Sequence, residues 1–115
     1  MIPNKRRNEE TFNDGILNVL EVDKRHIKRN ILKHMHFGSK TIGISRFYNA
    51  VTAGSVIDKL ICVPFNKLIN RSNLIEIGND IYSIKQIQEK HDTLPPTLYL
   101  SLEKDSLKYV DERKD

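Results

Sequence analysis

The sequence predicts an α+β domain: a small, mainly antiparallel, twisted β-barrel-like sheet with one short helix and flexible charged termini. Three observations predict it. Short runs rich in Ile, Leu and Val are separated by Gly, Pro and Asn clusters, one segment from Ser45 to Gly54 carries apolar residues at helical spacing, and both chain ends are dominated by polar and charged residues. With 115 residues the chain fits one domain, whose folded core spans about 11–104 between an N-terminal arm, 1–10, and a C-terminal tail, 105–115.

In chain order, "NDG" at Asn13 to Gly15 is a turn signal, because Asn and Gly tolerate the left-handed backbone of a tight turn. "ILNVLEV", Ile16 to Val22, follows as the first strand. Residues 23–36 read two ways: Asp23 can cap a helix burying Ile27, Ile31 and Met35, or the segment can run as a strand. "KTIGI" has strand propensity that breaks at Gly43, after which Ser45 is a candidate helix cap, Phe47, Tyr48 and Val51 share a helical face, and Gly54 is the stop. A strand-to-helix corner is therefore expected there. "VIDKLICV" reads as a well-covered strand ending at Pro64 and is followed by the polar loop "PFNKLINRSN". "LIEI" and "DIYSIKQI" form a hairpin across Gly78 and Asn79. After the turn "HDTLPP", "TLYLSLEK" alternates with Leu98, Leu100 and Leu102 inward and Thr97, Tyr99 and Ser101 outward. The residues after Lys104 read as a tail or a short exposed helix.

Charge is distributed unevenly. The formal net charge is +4, and it lies entirely in the first forty residues, where nine basic residues face five acidic ones. A polyanionic neighbour at that end, a solvated polar face and a flexible arm are all compatible with this excess. The single cysteine, Cys62, excludes a disulfide within the chain and fits a reducing compartment. No apolar run reaches the length of a membrane span, and "MIPNKRRNEE" lacks the apolar stretch of a secretory signal, so a soluble intracellular protein with no membrane partner is expected.

Candidate chemistry is sparse. His34 and His36 share a face if their segment is extended, and with His26 or Cys62 they offer nitrogen and sulfur ligands, but a second closely spaced ligand pair is missing, so no metal is expected. Cys62 in an apolar strand reads as a small hydrophobe, and His91 beside Asp92 as turn chemistry. Without a phosphate-binding glycine loop, a serine elbow or paired helical carboxylates, neither catalysis nor a cofactor is expected. Arg46, Phe47 and Tyr48 are residue types enriched at protein interfaces and form the candidate contact surface, while Tyr99, Tyr82 and Phe65 divide between core and contact roles.

The ordered set "TFNDGILNV", "GSKTIGISRFYNAVTAGSVIDKLICVP" and "LIEIGNDIYSIKQIQEKHDTLPPTLYLSLEK" resembles the head-tail joining or head closure proteins of tailed bacteriophages, particularly prophage forms of low-GC Gram-positive bacteria, from Thr11 to Lys104. The chain differs from many members in having no tryptophan and in its charged C-terminal extension. The resemblance implies a small β-barrel with a helix, assembled as a dodecameric ring in the virion neck after residence in the host bacterial cytoplasm. Its implied partners are further copies of itself, portal-adaptor ring proteins on the head side, a tail completion or terminator protein on the tail side, and packaged double-stranded DNA in the channel. Lys67 and Arg71 of "NKLINRSN" are the candidate channel-facing or DNA-facing residues. A different class, a small β-barrel nucleic-acid-binding module, would draw on the basic residues Lys24, Arg25, Lys28 and Arg29.

Overall fold

A computed structural model describes residues 8–43, Gly54 and 56–114. The strands, in order, are β1 (Asn8–Glu9), β2 (Gly15–Asp23), β3 (His26–Lys40), β4 (Lys59–Pro64), β5 (Leu74–Ile77), β6 (Asp80–Lys90), β7 (Thr93–Leu94), β8 (Thr97–Lys104) and β9 (Val110–Asp111). Seven of them form one sheet in the order β2-β5-β6-β8-β4-β3-β9, and β2 also pairs with β3. The pairings therefore run in a circuit from β2 through β5, β6, β8, β4 and β3 back to β2.

The expected fold class is corrected by these elements. The described residues contain strands and no helix, so the α+β assignment with one short helix gives way to an all-strand architecture. The helical segment expected from Ser45 to Gly54 lies, apart from Gly54, outside the described residues. The ambiguous stretch 23–36 resolves as strand: β3 pairs antiparallel with β2 from Gly15↔Phe37 to Asp23↔His26. Its apolar residues, Ile27, Ile31 and Met35, fit a helical stripe equally well, but a long antiparallel neighbour satisfies the backbone hydrogen bonds of the extended form. The register slips between Leu17 and Val19 and again on either side of the Leu20–Glu21 pair. Such bulges break the period of two that would have marked β3 as a strand.

The hairpin across Gly78 and Asn79 forms as expected, with Ile77 opposite Asp80. Gly78 sits at φ 61°, the left-handed value that hairpin turns demand. β8 buries Leu98, Leu100 and Leu102 inside, but Thr97 and Ser101, expected outward, are fully buried as well. Both faces of β8 are covered, and only Tyr99 of the three remains half-exposed.

Two apolar clusters fill the interior. The larger joins Leu17, Val19, Phe37, Ile61, Val63, Ile69, Ile75, Tyr82, Ile84, Leu98, Leu100 and Leu102. The smaller, at the β2–β3 turn end, joins Leu20, Ile27 and Leu74, with Val22, Ile81 and Tyr109 packed against it. Tyr109 comes from the segment expected as a charged tail, which instead lies on the sheet through β9, pairing parallel with His26 and Ile27.

Candidate functional site

The loop from Phe65 to Asn73, between β4 and β5, holds the two predicted channel-facing cations. Its backbone is tied by two consecutive asparagine turns. Asn66 Oδ1 accepts from the Leu68 amide at 2.9 Å, and Asn70 Oδ1 accepts from the Ser72 amide at 2.9 Å. The Asn70 amide donates to Asn73 Oδ1 at 2.9 Å, while the Asn73 amide donates back to the Asn70 carbonyl at 3.1 Å. Asparagine competes well for local backbone donors, which is why this polar stretch folds into a fixed shape. Ile69 is buried in the main core and pins the loop from below. Lys67 and Arg71 are both exposed, and neither pairs with a carboxylate among the described residues. Leu68 between them is 55% exposed.

The other expected site residues separate. Arg46, Phe47 and Tyr48 lie outside the described residues. His34 and His36 are exposed on β3, His26 pairs with Glu112, and Cys62 is buried far along the sheet opposite Gly38. Among the described residues, no group of three or more His, Cys, Asp or Glu side chains could hold a metal ion. His91 Nε2 meets Glu89 at 3.0 Å rather than Asp92, and its ring tilts against Phe65 with centroids 5.3 Å apart. Tyr82 is part of the core.

Two polar clusters escaped the sequence reading, one at each chain end. At the first, the N-terminal segment crosses the row formed by Gly38, Cys62 and Tyr99 on β3, β4 and β8. Glu10, its side chain only 4% exposed, pairs with Lys40 Nζ and accepts hydrogen bonds from the Tyr99 hydroxyl and, weakly, the Cys62 thiol. Burial pushes the Glu10 carboxyl up, but Lys40, Tyr99 and Cys62 together hold it below its ordinary value. Burial also raises the Tyr99 phenol, and its hydrogen bond to Glu10 adds to that. Lys40 and Lys90 bring their ammonium groups to 5.6 and 5.5 Å from the Tyr99 ring centre. The Cys62 thiol is raised, chiefly by burial, and its neighbour Glu10 opposes thiolate formation, so it is not set up as a nucleophile.

At the second cluster, Arg113 forks onto Glu76 at 2.7 and 3.1 Å and onto Asp111 at 2.7 Å, and also donates to Asn30 Oδ1 at 3.1 Å. These groups border an open polar cleft lined also by Asn18, Lys33 and His34. Hydrogen bonds from Arg113 hold the Asp111 carboxyl down at about 2, and Arg113 likewise lowers Glu76. Glu112, one residue earlier, pairs with His26 and with Lys28 at 2.9 Å. The carboxylates of this cluster are all engaged, Glu76 and Asp111 by Arg113 and Glu112 by His26 and Lys28, so the cluster fastens the C-terminal segment to the sheet. "DERK" gave no signal of that in the sequence, because the partners lie on two distant strands, β3 and β5.

No protein-family model matches the chain, and no curated protein matches it.

Proposed function

We propose that the chain is a non-enzymatic structural protein of the tailed-phage neck, a head closure or head-tail joining ring below the portal-adaptor complex that helps retain packaged DNA and docks the tail. The observation that carries the reading is the loop from Phe65 to Asn73, which holds Lys67 and Arg71 outward on a backbone fixed by its own asparagines. A preformed loop loses little conformational freedom on meeting a polyanion, and cations that meet no carboxylate among the described residues need no such pair broken first. The likeness of residues 11–104 to head closure proteins supports the same assignment. In particle reconstructions the chain should occupy the ring between portal and tail, and particles carrying Lys67→Gln with Arg71→Gln should assemble yet lose packaged DNA. Density for the chain in the capsid shell or the tail tube removes the reading.

A second reading, a free-standing nucleic-acid-binding module, has one observation in its favour: Lys24 and Arg25 are exposed at the tip of the β2–β3 hairpin. Their basic neighbours are already engaged, Lys28 with Glu112 and Arg29 with Glu21. Salt-dependent DNA binding by the isolated protein, lost on Lys24→Gln with Arg25→Gln and indifferent to Lys67 and Arg71, would favour this second reading over the first.

A further inference from the structure

We infer that the C-terminal segment 105–114 is an exchangeable strap: the groove on β2, β3 and β5 that it fills within its own chain also accepts the same segment from a second copy. This inference stands on contacts of this chain alone and does not depend on the neck assignment.

The strap is built like a docked peptide. It adds a short strand, β9, to the β3 edge, with the Val110 amide donating to the Arg25 carbonyl at 2.8 Å and the Glu112 amide to the Ile27 carbonyl at 2.9 Å. One aromatic anchor, Tyr109, enters the small cluster of Leu20, Ile27 and Leu74. Charged clamps follow, Glu112 on His26 and Lys28 and Arg113 on Glu76. Backbone augmentation plus an anchor plus flanking charges is a general mode of peptide recognition, and none of it requires the peptide to be tethered to the surface it meets.

The connection to the body permits exchange. β9 runs parallel to β3, so no tight turn joins them and the strap arrives as a separate piece after the sheet is complete. The linker after β8 is held in a compact form by its own side chain: Asp105 accepts from the Leu107 amide at 2.9 Å and from the Tyr109 hydroxyl at 2.6 Å. Opened out, residues 105–109 reach roughly 16 Å at about 3.3 Å per residue, which carries the anchor away from its own groove. The docked segment presents Leu107 and Val110 at 52% and 55% exposure, two large apolar side chains that a neighbouring copy would cover. Exchange of an identical element reproduces every contact of the closed form, so it needs no new surface complementarity.

The test uses Val110 and His26, which lie opposite one another in the β9–β3 pairing. Full-length chains carrying Val110→Cys are mixed with chains carrying His26→Cys under mild oxidation, with Cys62 left in its buried position. A disulfide-linked dimer should form several-fold faster than in a control mixture of Val110→Cys with Leu68→Cys, faster still in high salt, and should be suppressed by added peptide of sequence 105–114. The doubly substituted chain, diluted, should close within itself and report the docked strap. Dimer formation no faster than the control, or unaffected by the peptide, overturns the exchange. Failure of the double variant to close overturns the docked strap itself.

Discussion

Both chain ends carry a two-residue parallel strand, β1 paired with β7 apart from the main sheet and β9 paired with β3 within it, yet they are held by different physics. The N-terminal strap relies on one buried carboxylate, Glu10, and on direct backbone contact: a Cβ at Gly38 would overlap the Thr11 carbonyl oxygen. Beyond the β9 backbone bonds and the Tyr109 anchor, the C-terminal strap relies on several charges, with Asp111 49% and Glu112 39% accessible and Arg113 sheltered. Exposed ion pairs are screened and individually weak, while a buried, hydrogen-bonded charge is expensive to unpair. The first strap is therefore a fixed part of the fold, and the second is a releasable one.

The sharpest way to break the comparison is at Gly38. Gly38→Ala forces the N-terminal segment off its row, and the added methyl also crowds the Cys62 sulfur at 3.1 Å. A loss of about 1–3 kcal/mol is expected from overpacking at a close approach, read as a lower urea midpoint with an unchanged slope. Glu10→Ala should cost about 1–3 kcal/mol by leaving the Tyr99 hydroxyl without its acceptor, and this loss should vary little with salt. A midpoint unchanged in both variants would mean that the N-terminal strap contributes nothing to the fold.

Arg113→Ala addresses the other end. It removes the fork onto Glu76 and the bond to Asn30. The expected cost is smaller, about 1 kcal/mol at low salt, because the partners regain water, and it should shrink as ionic strength rises. Amides of β9 should lose hydrogen-exchange protection while those of β4 and β8 keep theirs. Global loss of protection in this variant would show that the two straps are one cooperative unit.

Acid separates the ends further. The Asp111 carboxyl titrates at about 2 in the folded chain, below an unfolded value of about 3.9. A depressed folded value means that its contribution is fully present above the unfolded value and is lost as pH falls through about 2. Between pH 4 and 2 the C-terminal strap should lose protection progressively, and Asp111→Asn should flatten that dependence. The exposure of Asp111 keeps the effect well below what the shift alone suggests.

How much of this was legible depended on whether the deciding partner was local. The Gly78–Asn79 hairpin and the leucine alternation of β8 were visible because turn chemistry and period are written in neighbouring residues. The loop between β4 and β5 that carries Lys67 and Arg71 was visible for the same reason. Glu10 and Arg113 were not legible: each sits in a charged run that reads as a loose end, and its partners are supplied by distant strands. One signal was available at Gly38, since a glycine inside a strand commonly marks a close backbone approach.

The β2–β3 hairpin shows the remaining failure and the smallest expected effect. Its turn places Lys24 at φ 50° and Arg25 at φ 68°, both left-handed, in the two central positions where Asn-Gly is the preferred pair. With lysine and arginine there, the sequence carried no turn signal, and Asp23 read equally well as a helix cap. A β-carbon in the left-handed region is disfavoured by roughly 1–2 kcal/mol per residue, so the β2–β3 pairing and the strap on Arg25 hold this turn against local preference. Lys24→Asn with Arg25→Gly should relieve part of that strain and raise the urea midpoint by about 0.5–1 kcal/mol, the gain limited by the extra unfolded freedom of glycine. Because the Val110 amide binds the Arg25 carbonyl and not its side chain, β9 should keep its protection in this variant. Loss of stability instead would mean that the two cations hold the hairpin through contacts of their own, and that the tip is not a purely backbone device.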